Sequence, residues 1–178
     1  MPTHVALLRG INVGGRNLIP MPALRICFEE HGFRNVSTYI QSGNVLFDAA
    51  GTSPELANRI ERMLEAAFDY EPTVVVRSAR QMRAVVARAP NGFGSDPDAY
   101  RYDAIFLKEP LTPAAAIEQV PTNPDVDRAT AGPGVLYFSR LAARASSSRL
   151  SRIVSSPIYA RVTIRNWNTT TKLLALMR

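Results

Sequence analysis

The sequence predicts an α+β fold, on three observations. Short β-branched or wholly apolar runs alternate with longer segments that are apolar along one face only. Clusters of glycine, proline, asparagine and serine punctuate them. Of the 178 residues, 46% are apolar and 20% charged, the range of a chain that buries a core.

Thr3 to Arg9 holds Val5-Ala6-Leu7-Leu8, a continuous apolar run ahead of a glycine loop, and predicts a strand, β1, buried on both faces. Pro20 and Pro22 bracket the start of a helix, α1, over roughly 22–31, whose Leu24, Cys27 and Phe28 share a face ending at Gly32. Val36 to Ile40 and Val45 to Phe47 flank Gln41-Ser42-Gly43-Asn44 and predict a hairpin of β2 and β3. Ser53, just before Pro54, is expected to cap α2, over roughly 54–69, where Leu56, Ile60, Met63, Leu64 and Ala67 form one stripe. Thr73 to Val76 is β4. The resulting order, βαββαβ, is that of a ferredoxin-like unit, with β1 and β2 parallel and β3 between them, antiparallel to both.

Residues 1–78 are therefore expected to form a ferredoxin-like domain, and 79–178 a second, smaller α/β domain with a basic C-terminal segment. In the second half, Ala79 to Ala89, Thr112 to Val120, Ser148 to Val154 and Asn168 to Met177 read as helical. Asp103 to Leu107 and Val162 to Ile164 read as strands, and Val126 to Thr130 with Val135 to Ser139 as a hairpin. No strict internal repeat is visible. Because β1 and β4 are apolar on both faces, the face away from α1 and α2 also needs cover, from the second half or a partner copy.

No N-terminal stretch has the basic flank and apolar core of an export signal, so a soluble cytoplasmic protein with no membrane partner is expected. The single cysteine, Cys27, reads as a small core hydrophobe. The two histidines, His4 and His31, lack metal-ligand spacing, so neither a metal nor a cofactor is expected. Net charge is +6 and pI about 10.0. After Asp127 no acidic residue occurs, while nine basic ones follow. Nineteen arginines against two lysines reflect a bias that base composition also produces, so the excess permits an anionic partner without specifying one.

The topology puts the β1–α1 loop and the β2–β3 turn on one edge. Arg9, Asn12, Gly14, Gly15 and Arg16 come from the first, and Gln41, Ser42 and Asn44 from the second. Guanidinium groups, amides and free backbone N–H groups are suitable chemistry for an oxyanion. They serve equally for a glycine turn stiffened by asparagines. Gly10 and Gly15 have the glycine spacing of a P-loop, but Arg16-Asn17 stands where Lys-Ser/Thr belongs, and Leu18-Ile19-Pro20 separates the loop from its helix. A second candidate rim is Arg165, Asn168 and Lys172, with Asn168 expected to cap the last helix. Arg140, Arg144, Arg149 and Arg152, among serines, form a basic stretch able to track a phosphate backbone. Tyr137 and Phe138 fit core better than a base-stacking platform. No nucleophile–base pair or paired carboxylates stand out, so catalytic residues are not identified.

Leu7-Leu8-Arg9-Gly10-Ile11-Asn12-Val13-Gly14-Gly15, Tyr39-Ile40-Gln41-Ser42-Gly43-Asn44-Val45 and Arg165-Asn166-Trp167-Asn168-Thr169 together resemble the bacterial domain of unknown function 1697 family. The resemblance spans nearly the whole chain. It implies a ferredoxin-like domain joined to a second α/β domain and implies no activity. Arg16 departs from it, standing where lysine is more usual. The expected function is binding of a phosphate-bearing ligand, a nucleotide or RNA, at the two loops. The alternatives are an enzyme acting on a small anionic metabolite and a structural protein without a ligand.

Overall fold

In the computed structural model, which describes residues 3–12, 15, 18–69 and 71–177, the apolar run of β1 (Thr3–Arg9) is the central organiser of the first sheet. It pairs antiparallel with β3 (Asn44–Asp48) on one side and β4 (Thr73–Ser78) on the other, and β2 (Arg34–Tyr39) adds outside β3. The order β2-β3-β1-β4 is the one expected of a βαββαβ unit. Helices α1 (Met21–Glu30) and α2 (Ser53–Phe68) complete it.

Strand alternation divides the sheet's side chains between two faces. Ala6, Leu8, Val45, Phe47, Val74 and Val76 pack with Leu24 and Phe28 of α1 and with Ile60 and Leu64 of α2. The opposite face carries Val5, Leu7, Leu46 and Val75, which are buried as well. Cys27 is a buried core residue, and burial, followed by the nearby Glu30 charge, pushes its thiol above the ordinary range. Helix α2 is capped by Thr52 rather than Ser53. Thr52 Oγ1 accepts from the Glu55 backbone N–H and the Glu55 carboxylate accepts from the Thr52 N–H, a reciprocal capping box. Ser53 instead donates its hydroxyl to Gln81, at 2.6 Å.

The chain divides into two compact units, Met1–Met82 with Leu173–Arg178, and Arg83–Lys172. The second unit has its own four-stranded antiparallel sheet, formed by β5 (Tyr100–Leu107), β6 (Asp127–Gly132), β7 (Val135–Leu141) and β8 (Val162–Asn166). Its order, β6-β7-β5-β8, is the first sheet's order transposed, with β5, β6, β7 and β8 in the places of β1, β2, β3 and β4. Helix α4 (Pro113–Gln119), capped by the Thr112 hydroxyl, stands where α1 does. The second crossover is built of 3-10 turns at Ala142–Ser147, Leu150–Ser155 and Tyr159–Arg161, so the helix expected over Ser148 to Val154 is a 3-10 segment. Each half then closes on a helix, α3 (Ala79–Ala87) after β4 and α5 (Trp167–Leu176) after β8. The second half thus repeats the topology of the first, although no strict sequence repeat announces it.

Candidate functional site

The loop edge of the first unit is fastened by one side chain. Asn12, itself in the left-handed region at φ 53°, donates its amide N–H groups to Ile19 O at 3.1 Å and to Gln41 O at 3.0 Å. Its amide oxygen accepts from the Ile19 N–H at 2.8 Å. The β1–α1 loop is thereby closed on itself and tied to the β2–β3 turn. Asn44 acts within that turn: it is fully buried and donates to Tyr39 O at 2.9 Å and to Ser42 Oγ at 3.1 Å. Both asparagines spend these groups on holding the edge together.

At the turn, Ile40 has φ 50° and Gly43 φ 91°. A left-handed β-branched residue is strained, and such strain persists only where the surroundings over-determine it. Gly43 is there for closeness as well as conformation, since its O accepts from Leu8 N–H and a Cβ would stand 2.7 Å from Ile11 Cδ1. Around this frame Gly15, Gln41 and Ser42 are exposed and Arg9 is half-buried. Gly14 and Arg16 lie outside the described residues, as do Val13 and Asn17.

The Arg165 group separates. Arg165 is buried in β8, where its guanidinium donates to Ile164 O at 2.9 Å, and burial pulls it down to about 10. Asn168 and Lys172 are exposed one turn apart on α5. The cap of α5 is Asn166, whose side chain accepts from the Thr169 N–H at 2.7 Å, so Asn168 lies inside the helix and Lys172 beyond its first turn. Among the described residues no cluster of histidine, cysteine, aspartate and glutamate is suited to a metal ion, and no helix is long and apolar enough to cross a membrane.

The second unit holds a cleft of about 300 Å³ on the sheet face that carries Tyr100, Tyr102, Tyr137 and Ser139. Phe93, from the loop after α3, stands edge-on to Tyr102, Tyr137 and Trp167 at centroid distances of 4.8, 5.4 and 5.0 Å. Gly94 lets the chain pass the indole, since a Cβ there would lie 2.6 Å from Trp167 Nε1. Tyr137 is core, as expected: its hydroxyl donates to Val85 O at 2.6 Å and, chiefly through burial, is pushed up to about 12. Tyr100 and Tyr102 are more open. Sequence reasoning passed over them, although an aromatic residue at every second position of a strand start is the signal that marks one face. Phe93 gave no such signal, because a loop delivers it.

On the sheet's other face Asp103 and Arg140 form a largely buried ion pair at 3.7 Å, and burial raises the Asp103 carboxyl despite the Arg140 and Arg101 charges. Asp127 Oδ2 accepts from the backbone N–H groups of Asn123 and Arg149, both at 2.8 Å, pinning the first 3-10 turns to β6.

No curated protein matches the chain at a significant level. Among solved structures it is similar to a conserved bacterial protein, SP0830 from Streptococcus pneumoniae, with a TM-score of 0.85 and 24% identity over 99% of each chain, a likeness of fold. The family model described as protein of unknown function (DUF1697) matches residues 1–137, and the chain belongs to that family.

Proposed function

We propose that this protein binds a phosphate-bearing ligand, a nucleotide or RNA, at the edge formed by the β1–α1 loop and the β2–β3 turn. One observation carries the reading: Asn12 donates to Ile19 O and to Gln41 O and so joins the two loops, whose sequence segments, 9–19 and 39–47, contain no acidic residue and include Arg9 and Arg16. The backbone strain at Ile40 agrees with it, since an edge needed only for packing has no use for a left-handed isoleucine. The exposed Gln41 side chain is an amide donor there, and neither segment holds a carboxylate to repel an anion.

Native mass spectrometry of the purified protein tests the reading, followed by calorimetric titration with ATP and with a single-stranded RNA. Arg9→Ala is expected to weaken binding by about 10- to 100-fold, the size of one hydrogen bond to a charged group, while the far-ultraviolet spectrum is unchanged. Unaltered affinity in Arg9→Ala, or no binding of either ligand, overturns it.

A second reading has its own observation, the use of the Asn12 amide entirely within the fold. If the loops only fix the structure, Asn12→Ala lowers the unfolding midpoint and leaves every ligand response as in the wild type.

A further inference from the structure

The cleft of the second unit shares no residue with the loop edge and requires its own account. We propose that it binds the planar base of a nucleotide, stacked on Tyr102, with the nucleotide's phosphate directed to Arg128.

Sheet register supplies the geometry. Tyr102 lies opposite Ser139, and Ser139 opposite Arg128, so three strands place an aromatic ring, a small hydroxyl and a guanidinium in one row. Two strand spacings, roughly 10 Å, separate the ends of that row. The neighbours of Ser139 along β7 on this face are larger, Leu141 opposite Tyr100 and Tyr137 between Ala104 and Thr130. Ser139 therefore lies low between them, in a cleft lined by the Tyr102 ring at one end of the row and the Arg128 guanidinium at the other. A base with its sugar and phosphate has that shape and that charge distribution. Aromatic side chains on a four-stranded sheet are an established means of stacking bases.

The recess is built before any ligand arrives. Phe93 fixes the tilt of Tyr102 at 66°, and the Tyr102 hydroxyl accepts from the Asp96 N–H at 3.2 Å. Ring order of this kind is established on folding, which lowers the entropic cost of stacking. The volume, about 300 Å³, is at the small end of ligand sites and fits one mononucleotide unit better than a larger cofactor. Arg128 is exposed on the edge strand β6 and is available to a phosphate. Asp125 also lines the cleft; a carboxylate repels phosphate but accepts from ribose hydroxyls, which assigns the sugar to its side.

Trp167 is the only tryptophan and touches Phe93, so its emission reports on the cleft. The titrants are AMP, GMP, CMP and UMP, their nucleosides, inorganic phosphate and a single-stranded RNA of mixed sequence. A saturable change with a mononucleotide assigns the site to free nucleotides, and a change with RNA alone assigns it to a base within a strand; both support the proposal. Tyr102→Ala is expected to weaken binding roughly 5- to 150-fold, the range for one base–aromatic stack, and Tyr102→Phe to preserve it. Arg128→Ala weakens the phosphorylated ligand and leaves the nucleoside unchanged. Should Tyr102→Ala fail to fold, Ser139→Leu decides, since it fills the recess and abolishes binding. The proposal is overturned by no saturable response to any titrant, by an equal response to inorganic phosphate, by wild-type affinity in Tyr102→Ala or Ser139→Leu, or by equal losses for nucleoside and nucleotide in Arg128→Ala.

Discussion

Gly43 and Gly10 both have positive φ, yet their surroundings differ, which turns a shared backbone conformation into two distinct demands. A Cβ at Gly10 meets nothing within 4 Å, whereas one at Gly43 meets Ile11 Cδ1 at 2.7 Å and Leu8 Cβ at 2.9 Å. Gly10→Ala is expected to cost only the left-handed penalty, about 1–2 kcal/mol. Gly43→Ala adds overpacking, about 1–3 kcal/mol more, because both neighbours belong to the core. Urea unfolding of the two variants checks the ranking; equal midpoints mean that the turn yields where the structure says it cannot. Tyr137 sets a demand of another kind. Its folded pKa, about 12, lies above the ordinary 10.0, so the stability due to its neutral hydroxyl is complete below pH 10 and is lost as pH rises towards 12. Alkaline titration by tyrosinate absorbance should show one late step that is absent in Tyr137→Phe. That variant loses the bond to Val85 O and costs about 1–3 kcal/mol at neutral pH, because it leaves a buried carbonyl unpaired.

Among the described residues four of the five α-helices start on one device, a side-chain acceptor three residues ahead of the N–H it satisfies; α1, which starts at Pro20, has no side-chain cap. Thr52 serves Glu55, Ser78 serves Gln81, Thr112 serves Ala115 and Asn166 serves Thr169. The elements themselves were legible, because apolar period and punctuation agreed along β1, α1, α2 and the hairpins. The caps stand at Thr52 and Asn166, a residue or two ahead of the Ser53 and Asn168 that proline position and residue type suggest, because the three-residue spacing to a partner decides. Thr52-x-x-Glu55 was there to be read as a capping box. Thr52→Ala should lower stability by about 1 kcal/mol at neutral pH, seen as a lower urea midpoint at unchanged slope. Bonding to the Thr52 backbone N–H and then its hydroxyl holds the Glu55 carboxyl below its ordinary 4.5. Its contribution is thus present above that pH and lost as pH falls through the folded value, so the gap between Thr52→Ala and wild type should narrow in acid.

Across the whole chain, what the sequence hid was the repetition. The two halves share strand order and crossovers, while their side chains agree at few places, and 3-10 turns in the second half replace the amphipathic period that made α2 plain. The cleft was hidden for a related reason: Phe93, Ser139 and Arg128 meet only through loop path and register, which no local pattern encodes. One local signature of the repeat does survive. Strands β4 and β8 each carry a buried arginine as the last residue but one, Arg77 or Arg165, whose guanidinium donates at 2.9 Å to the carbonyl of the residue before it. Each arginine is followed by a capping residue, Ser78 or Asn166, and then by a helix. A buried guanidinium is costly unless it is hydrogen-bonded, and the cap that follows fixes the backbone that carries its carbonyl acceptor where strand becomes helix. If the junctions are equivalent, Ser78→Ala and Asn166→Ala should each lower the unfolding free energy by about 1 kcal/mol, although Gln81 reciprocates at Ser78 alone. Urea melts of both variants decide the matter: a loss confined to one junction limits the repetition to strand order, and matched losses extend it to the way each half turns from its last strand into its closing helix.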